Sequence, residues 1–266
     1  MPAIDRTGPE AFIGTRHVLG RLGMRFADEG IRLPVVPVLR DPDGHLTFGA
    51  LGVLLDMASS TAFRGEDTGH WVHADITIHR LRPPADGEVL ATARVLRRGK
   101  RTGVIELDLV DAEGALVAAS TQQCVFLGLP SEPSDAGERA RAAFESMFDG
   151  RCRFEEPLPV ELGVREEPQG TWTMDHGPDR TNGLSGLHGG VATTLVDAAA
   201  AGAVSAQRGE PARTVSAAVR YLVPALHGPF RATPQVLHDD GRVAVVRVPV
   251  RDAEGTTVIS ADVQVV

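Results

Sequence analysis

Two stretches of the chain, residues 47–63 and 188–206, consist of small and apolar residues at nearly every helical position, contain no proline and carry one charged side chain near the middle, Asp56 and Asp197. A helix that is apolar all round has no face to offer water, so both are predicted to lie inside the protein. Elsewhere the pattern changes to runs of Val, Ile, Leu and Thr. These predict strands over 71–82, 88–98, 101–110 and 115–127, and again over 213–223, 230–239, 242–251 and 256–265. Turn signals such as Pro83-Pro84, Arg98-Gly99 and Glu113-Gly114 divide them, and connections this short make antiparallel neighbours. A β-hairpin is expected over 22–26 and 31–39 and a second pair of strands over 162–166 and 171–176, each preceding an apolar helix. Residues 10–20 form a short lead-in of helical character.

The order hairpin, helix, meander therefore occurs twice. Sliding the chain on itself by 141 residues aligns Asp111-Ala-Glu-Gly114 with Asp252-Ala-Glu-Gly255, Pro83 with Pro224, Gly87 with Gly228 and Asp56 with Asp197. A shift of 140 also aligns Leu22-Gly-Met-Arg25 with Leu162-Gly-Val-Arg165, which places the start of the repeat near residue 22. The chain reads as a tandem duplication: an N-terminal unit over 1–127, a linker over 128–160 and a C-terminal unit over 161–266. The linker opens with Pro, Ser and Asp and carries an amphipathic helix capped by Asp135 with Glu138, presenting Ala140, Phe144, Met147 and Phe148. Each unit is α+β. Its sheet can bury the helix only by wrapping round it, which is the hotdog architecture, here a tandem double hotdog.

Composition narrows the function. A chain of 266 residues with 42% hydrophobic and 23% charged residues can build a sizeable core, and a net charge of −8 argues against nucleic acid as the main partner. Two cysteines, Cys124 and Cys152, have neither metal-ligand spacing nor the number a disulfide framework needs, so reduced thiols and a cytoplasmic location are expected. No secretory signal is visible at the N-terminus. No membrane span is expected, because the most apolar run carries His188 and Asp197.

The chemistry concentrates around Asn182-Gly-Leu-Ser-Gly-Leu-His188-Gly189-Gly190, where a glycine-rich turn opens the second helix. Its first backbone N–H groups are free of intrahelical partners and lie at the positive end of the helix dipole, while glycine lets a ligand approach them closely. An oxyanion donor of this kind is worth about 10²–10³ in rate. A buried carboxylate such as Asp56 or Asp197 has the setting of a base. His188 is open to two readings, a ring that fixes the loop by bonding a neighbouring backbone group or a member of the site. Arg97-Arg-Gly-Lys-Arg101 is either a solvated hairpin tip or a receiver of phosphates. Trp71, Trp172 and Tyr221 read as core or interface aromatics.

These residues carry a resemblance. Asn182, His188-Gly189-Gly190 and Asp197 at their spacing, followed by Thr214-Val-Ser216 and Pro224, resemble the motif of the phenylacetate-pathway-type, or PaaI-like, acyl-CoA thioesterases. The resemblance implies an acyl-CoA hydrolase without metal or redox cofactor, in which Asn182 and Gly189 hold the thioester carbonyl, Asp197 acts as nucleophile or base, and Ser216 assists it. The first half departs from the motif, with Asp41, Thr47, Phe48, Gly49, Asp56 and Asp75 at the places of Asn182, His188, Gly189, Gly190, Asp197 and Ser216.

Geometry then redistributes the roles. Gly189 and Asp197 lie roughly 12 Å apart along one helix, too far to serve one reacting carbon. If the helices pack antiparallel, Asn182, His188 and Gly189 work with Asp56, and with Asp75 beside it, while the opposite site is weakened by Phe48. Leu184, Leu187, Phe48 and Leu51 are expected at the mouth of an acyl pocket, with Gly190 alongside. Two other functions remain open at this stage. One is a non-catalytic acyl-thioester-binding scaffold. The other is a hydratase or dehydratase, which would want a histidine near the carboxylate that neither apolar helix supplies. Self-association of double-hotdog chains is compatible with either.

Overall fold

Alternating burial along the strands gathers thirteen of them into one antiparallel sheet in the computed structural model, which describes residues 16–63, 71–128 and 146–266. The first half supplies β1 (Arg25–Ala27), β2 (Gly30–Val35), β3 (Trp71–Arg80), β4 (Gly87–Arg98), β5 (Thr102–Val110) and β6 (Leu116–Phe126). The second supplies β7 (Arg165–Glu167), β8 (Thr171–Met174), β9 (Thr214–Tyr221), β10 (Phe230–Ala232), β11 (Gln235–Asp239), β12 (Ala244–Arg251) and β13 (Thr257–Val265). The spatial order is β1-β2-β4-β5-β6-β3-β9-β13-β12-β10-β8-β7, with β11 beside β12. Each half has the same order, and the halves meet where β3 pairs with β9. There Thr77 lies opposite Ala218, its own counterpart 141 residues on, so the pseudo-twofold axis passes through this pair. The expected strand at 230–239 is broken in two, because β10 pairs with β8 and β12 while β11 pairs with β12 alone.

The two apolar stretches are helices, α2 (Phe48–Phe63) and α4 (Gly189–Arg208), packed against each other and against the sheet. They run antiparallel: Gly49 faces Thr194, Gly52 faces Thr193, and Gly190 faces Gly52 and Val53. Glycine is required at these crossings. A Cβ on Gly52 would overlap the Thr193 hydroxyl, and one on Gly190 would lie 2.6 Å from the Val53 Cα. The close approach buries Phe48, Leu51, Leu54, Val191, Leu195 and Val196, at about 1.5–3 kcal/mol for each large side chain. By length and composition α4 could cross a membrane, but here it is packed against α2 and the strands as a core helix.

Two short helices flank this core, α1 (Val18–Arg21) and α3 (Leu158–Glu161), 140 residues apart. The correspondence between the two halves thus extends back to these helices, ahead of residues 22 and 162. Of the linker helix expected from Asp135 through Phe148, the part up to residue 145 lies outside the described residues. Met147 and Phe148 are buried, Phe148 with its ring centroid 4.8 Å from that of Phe26. In the basic hairpin, Arg98 donates to the Phe63 carbonyl (3.0 Å) and lies over the Phe63 and Trp71 rings, so it is tied to the end of α2.

Candidate active site

The helix crossing decides what Asp56 can touch. Because α2 and α4 run antiparallel, Asp56 in the middle of α2 reaches the first turn of α4, and its Oδ2 accepts the Gly190 N–H at 2.7 Å. Oδ1 faces His188 Nε2 at 3.7 Å. Gly189, the first residue of α4, leaves the space in front of the carboxylate open: a Cβ there would lie 2.7 Å from Oδ2 and 3.2 Å from the Tyr221 hydroxyl. Tyr221 donates to the Gly189 carbonyl at 2.7 Å and so fixes the turn from the β9 side. On the other side of Asp56 stands His73, with Nδ1 at 3.5 Å from Oδ2. His73 Nε2 is 2.6 Å from Ser59 Oγ, one turn further along α2.

The charges of this cluster are set by burial. His188 has its pKa lowered chiefly by burial, with the Asp56 charge acting against this, so its ring is held neutral. Burial, and then the nearby Asp56 and Asp75, push the Tyr221 phenol well above its ordinary value, and burial pushes the Cys124 thiol up to about 12. Asp56 therefore has His188, Tyr221 and Cys124 as neutral neighbours, and it lies at the positive end of α4.

The pseudo-symmetric centre differs. Asp197 is half-buried on α4, with its pKa raised by burial and only partly lowered by the Thr214 hydroxyl and the Arg80 guanidinium. Where the first centre has His188 and Gly189, the second has Thr47 and Phe48, and Phe48 is a core side chain with 1% exposure. Where the first has Tyr221, the second has Arg80, whose buried guanidinium donates to Asp41 Oδ2 at 2.7 Å. A phenylalanine thus stands at the position of Gly189, and a buried ion pair at those of Tyr221 and Asn182.

Several expected residues sit elsewhere. Asn182 organises its own loop: its Oδ1 accepts from the backbone N–H groups of Leu184 (2.9 Å) and Gly186 (3.1 Å). Asp41 does the same in the first half for Asp43 and His45. Ser216 is not beside Asp197. It points to the outer face of the sheet and bonds His79 Nδ1 at 3.0 Å, and Asp75 also lies on that face, opposite Arg220. The reason is a β-bulge in each copy. Pairing skips Ala74 between His73 and Asp75, and Val215 between Thr214 and Ser216, so His73 and Thr214 turn inward in place of their neighbours. His73 was thus missed: neither apolar helix supplies a histidine after its carboxylate, but strand β3 brings His73 to Asp56, opposite the expected His188. Tyr221 belongs to the site as well as to the core. The His188 ring does not bond a neighbouring backbone group, and its Nδ1 has no partner among the described residues. Phe48, Leu51 and Leu187 are closed into the core, and Leu184 is half-buried. The groove of about 240 Å³ lined by His79, Glu106, Asp108 and Thr121 includes outward-facing side chains and none of the Asp56 cluster.

Comparison with known proteins places both halves. Residues 185–259 match the family described as thioesterase superfamily, and residues 23–126 match the family described as acyl-CoA thioesterase C-terminal domain. No curated protein matches the sequence. Among solved structures, the chain is similar to the tesB protein of Mycobacterium avium subspecies paratuberculosis at 12% identity and a TM-score of 0.67, covering 93% of this chain and 96% of that one. It is also similar to the acyl-CoA thioesterase II TesB2 of Mycobacterium marinum, at 12% identity and a TM-score of 0.61, covering 93% and 96%. The 12:0-ACP thioesterase of Umbellularia californica has the same fold, at 11% identity and a TM-score of 0.59, covering 97% and 99%. With a thioesterase-family match in each half and this fold around them, the chain is a hotdog-fold thioesterase, an enzyme that hydrolyses acyl-CoA thioesters.

Proposed function

We propose that the chain is a tandem double hotdog of the TesB-like kind with one working centre, built across the two halves around Asp56. Solved structures of matching length, spanned end to end, favour a TesB-like chain over the PaaI-like resemblance of the second-half motif. The acyl-CoA carbonyl oxygen is held by the Gly189 N–H at the start of α4, which has no intrahelical partner. Asp56 takes a proton from water, and the hydroxide adds to the carbonyl carbon. The C–S bond then breaks with its electron pair on sulfur, and the proton returns from Asp56 to the departing thiolate. A thiolate leaves easily, so no separate strong acid is required. Gly190 holds the carboxylate, Tyr221 holds the turn, and no metal or redox cofactor enters the reaction.

The observation that carries this reading is the 2.7 Å hydrogen bond from Gly190 N–H to Asp56 Oδ2, which joins the helix turn of one half to the carboxylate of the other. The second centre, with Phe48 and Arg80 in place, contributes little turnover. The test is a hydrolysis panel of acyl-CoAs on the full chain and on Asp56→Asn. Binding without turnover by the native chain would favour a non-catalytic scaffold. The flanking histidines also make an enoyl-CoA worth including, and hydration instead of thioester hydrolysis would favour a hydratase.

A further inference from the structure

One partly buried histidine beside the centre, His73, has its proton arrangement dictated by its neighbours. Ser59 Oγ lies 2.9 Å from the Asp56 backbone carbonyl, and since a carbonyl can only accept, the hydroxyl hydrogen is committed there. The 2.6 Å contact between Ser59 Oγ and His73 Nε2 is then one in which the ring donates. In its neutral form His73 therefore carries its hydrogen on Nε2 and turns the bare lone pair of Nδ1 toward Asp56 Oδ2. The separation of 3.5 Å fits that arrangement, two acceptors facing each other without a hydrogen between them. A proton added at this contact satisfies both groups. Oδ2 then accepts from Gly190 N–H and from His73 Nδ1–H together.

We propose that His73 is a positioning residue that acts through Asp56 as its proton store. The proton drawn from the attacking water by Asp56 is shared with His73 Nδ1 while the tetrahedral intermediate stands, and it goes back to the leaving thiolate when the C–S bond breaks. This rests on the hydrolytic reading above. The other groups facing the pair do not compete for the proton. Cys124, opposite His73 on β6, stays a thiol, Tyr221 on β9 stays a phenol, and the His188 ring at the start of α4 is held neutral by burial. Asp75 on the same strand lies beyond the bulge, on the outer face. The second centre has Thr214 and Ala200 where the first has His73 and Ser59, so the device belongs to the Asp56 centre alone.

Two measurements test it on the full chain. In the first, ¹⁵N NMR of histidine-labelled protein reads the tautomer of His73. A hydrogen on Nε2 in the neutral form, with the preference weakened in Ser59→Ala, is expected, and a hydrogen on Nδ1 overturns the proposal. In the second, kcat and KM are followed against pH for the native enzyme and His73→Asn, with thermal melts to verify folding. The expected result is a fall in kcat of at least about tenfold with KM within about twofold, and an acid limb of kcat moved to lower pH, because the proton that silences Asp56 no longer has the ring to rest on. Unchanged kcat and an unmoved acid limb overturn it. If the hydrolytic reading fails instead, the native chain does not turn over acyl-CoA, and if Asp56 is not its base, Asp56→Asn retains full activity; both outcomes are distinct from either result at His73.

Discussion

The Gly190 N–H points at Asp56 Oδ2 from 2.7 Å, although the two residues are 134 apart in sequence and belong to different copies of the repeat. Each half has one apolar helix with a central carboxylate, and the antiparallel crossing of α2 and α4 brings Asp56 to the helix turn of the other half. On the reading proposed above, the centre needs both halves.

Isolated halves should accordingly fail. Residues 150–266 alone would expose the edge of β9 that β3 covers and the face of α4 that α2 covers. The expected product is insoluble or self-associated protein, read by size-exclusion chromatography and circular dichroism. A well-folded monomer would contradict the account.

Gly189→Ala should leave the helix intact but place a methyl group 2.7 Å from Asp56 Oδ2 and 3.2 Å from the Tyr221 hydroxyl. A fall in kcat of more than about tenfold is expected, with Tm changed by only a few degrees. By contrast, Gly52→Ala forces a Cβ onto the Thr193 hydroxyl at the helix crossing. Overpacking there is expected to cost about 1–3 kcal/mol, seen as a lower Tm without a specific effect on kcat per folded molecule.

Much of this was legible from the chain. The two helices, the meanders, the 141-residue repeat and the pairing of Asp56 with the second-half turn follow from apolar patterning and from the length of a helix. What escaped was local. A one-residue bulge at Ala74 and at Val215 exchanges which side chain of each strand faces inward, and strand periodicity alone does not reveal it. Hence Asp75 and Ser216 were expected in sites they do not enter, while His73 and Thr214 were passed over. Tyr221 was legible only as an aromatic. Its role shows once Arg80, its counterpart, is seen to occupy the other centre with an ion pair.

His17 gives the fold an acid-sensitive tether. Its Nδ1 accepts from Leu19 N–H and its Nε2 lies 3.0 Å from the Thr181 carbonyl, so the neutral ring uses both nitrogens to join α1 to the loop before α4. Burial, and then the neighbouring His188, hold its pKa at about 4 against an ordinary 6.5. The unfolded chain thus binds this proton first. Stability from His17 is complete above pH 6.5 and is lost as pH falls from there toward 4, by up to about 3 kcal/mol. His17→Phe should flatten the decline of Tm across that window, and an identical decline in both proteins would refute the assignment.

Asp197 has the opposite linkage. Its pKa is raised in the folded chain, chiefly by burial, so the folded state holds the proton more tightly and stability falls as pH rises through and above the ordinary carboxylate range. The Tm of Asp197→Asn relative to the native protein should therefore increase from pH 4 to pH 7. A difference independent of pH would contradict this.

The most direct test of the crossed centre is kcat for Asp56→Asn beside Asp197→Asn on the same acyl-CoA, both verified as folded by thermal melts. A loss of at least about 100-fold for Asp56→Asn, with Asp197→Asn within a few-fold of the native enzyme, is the result expected when Asp56 is the base. A silent Asp197→Asn beside an active Asp56→Asn would contradict it.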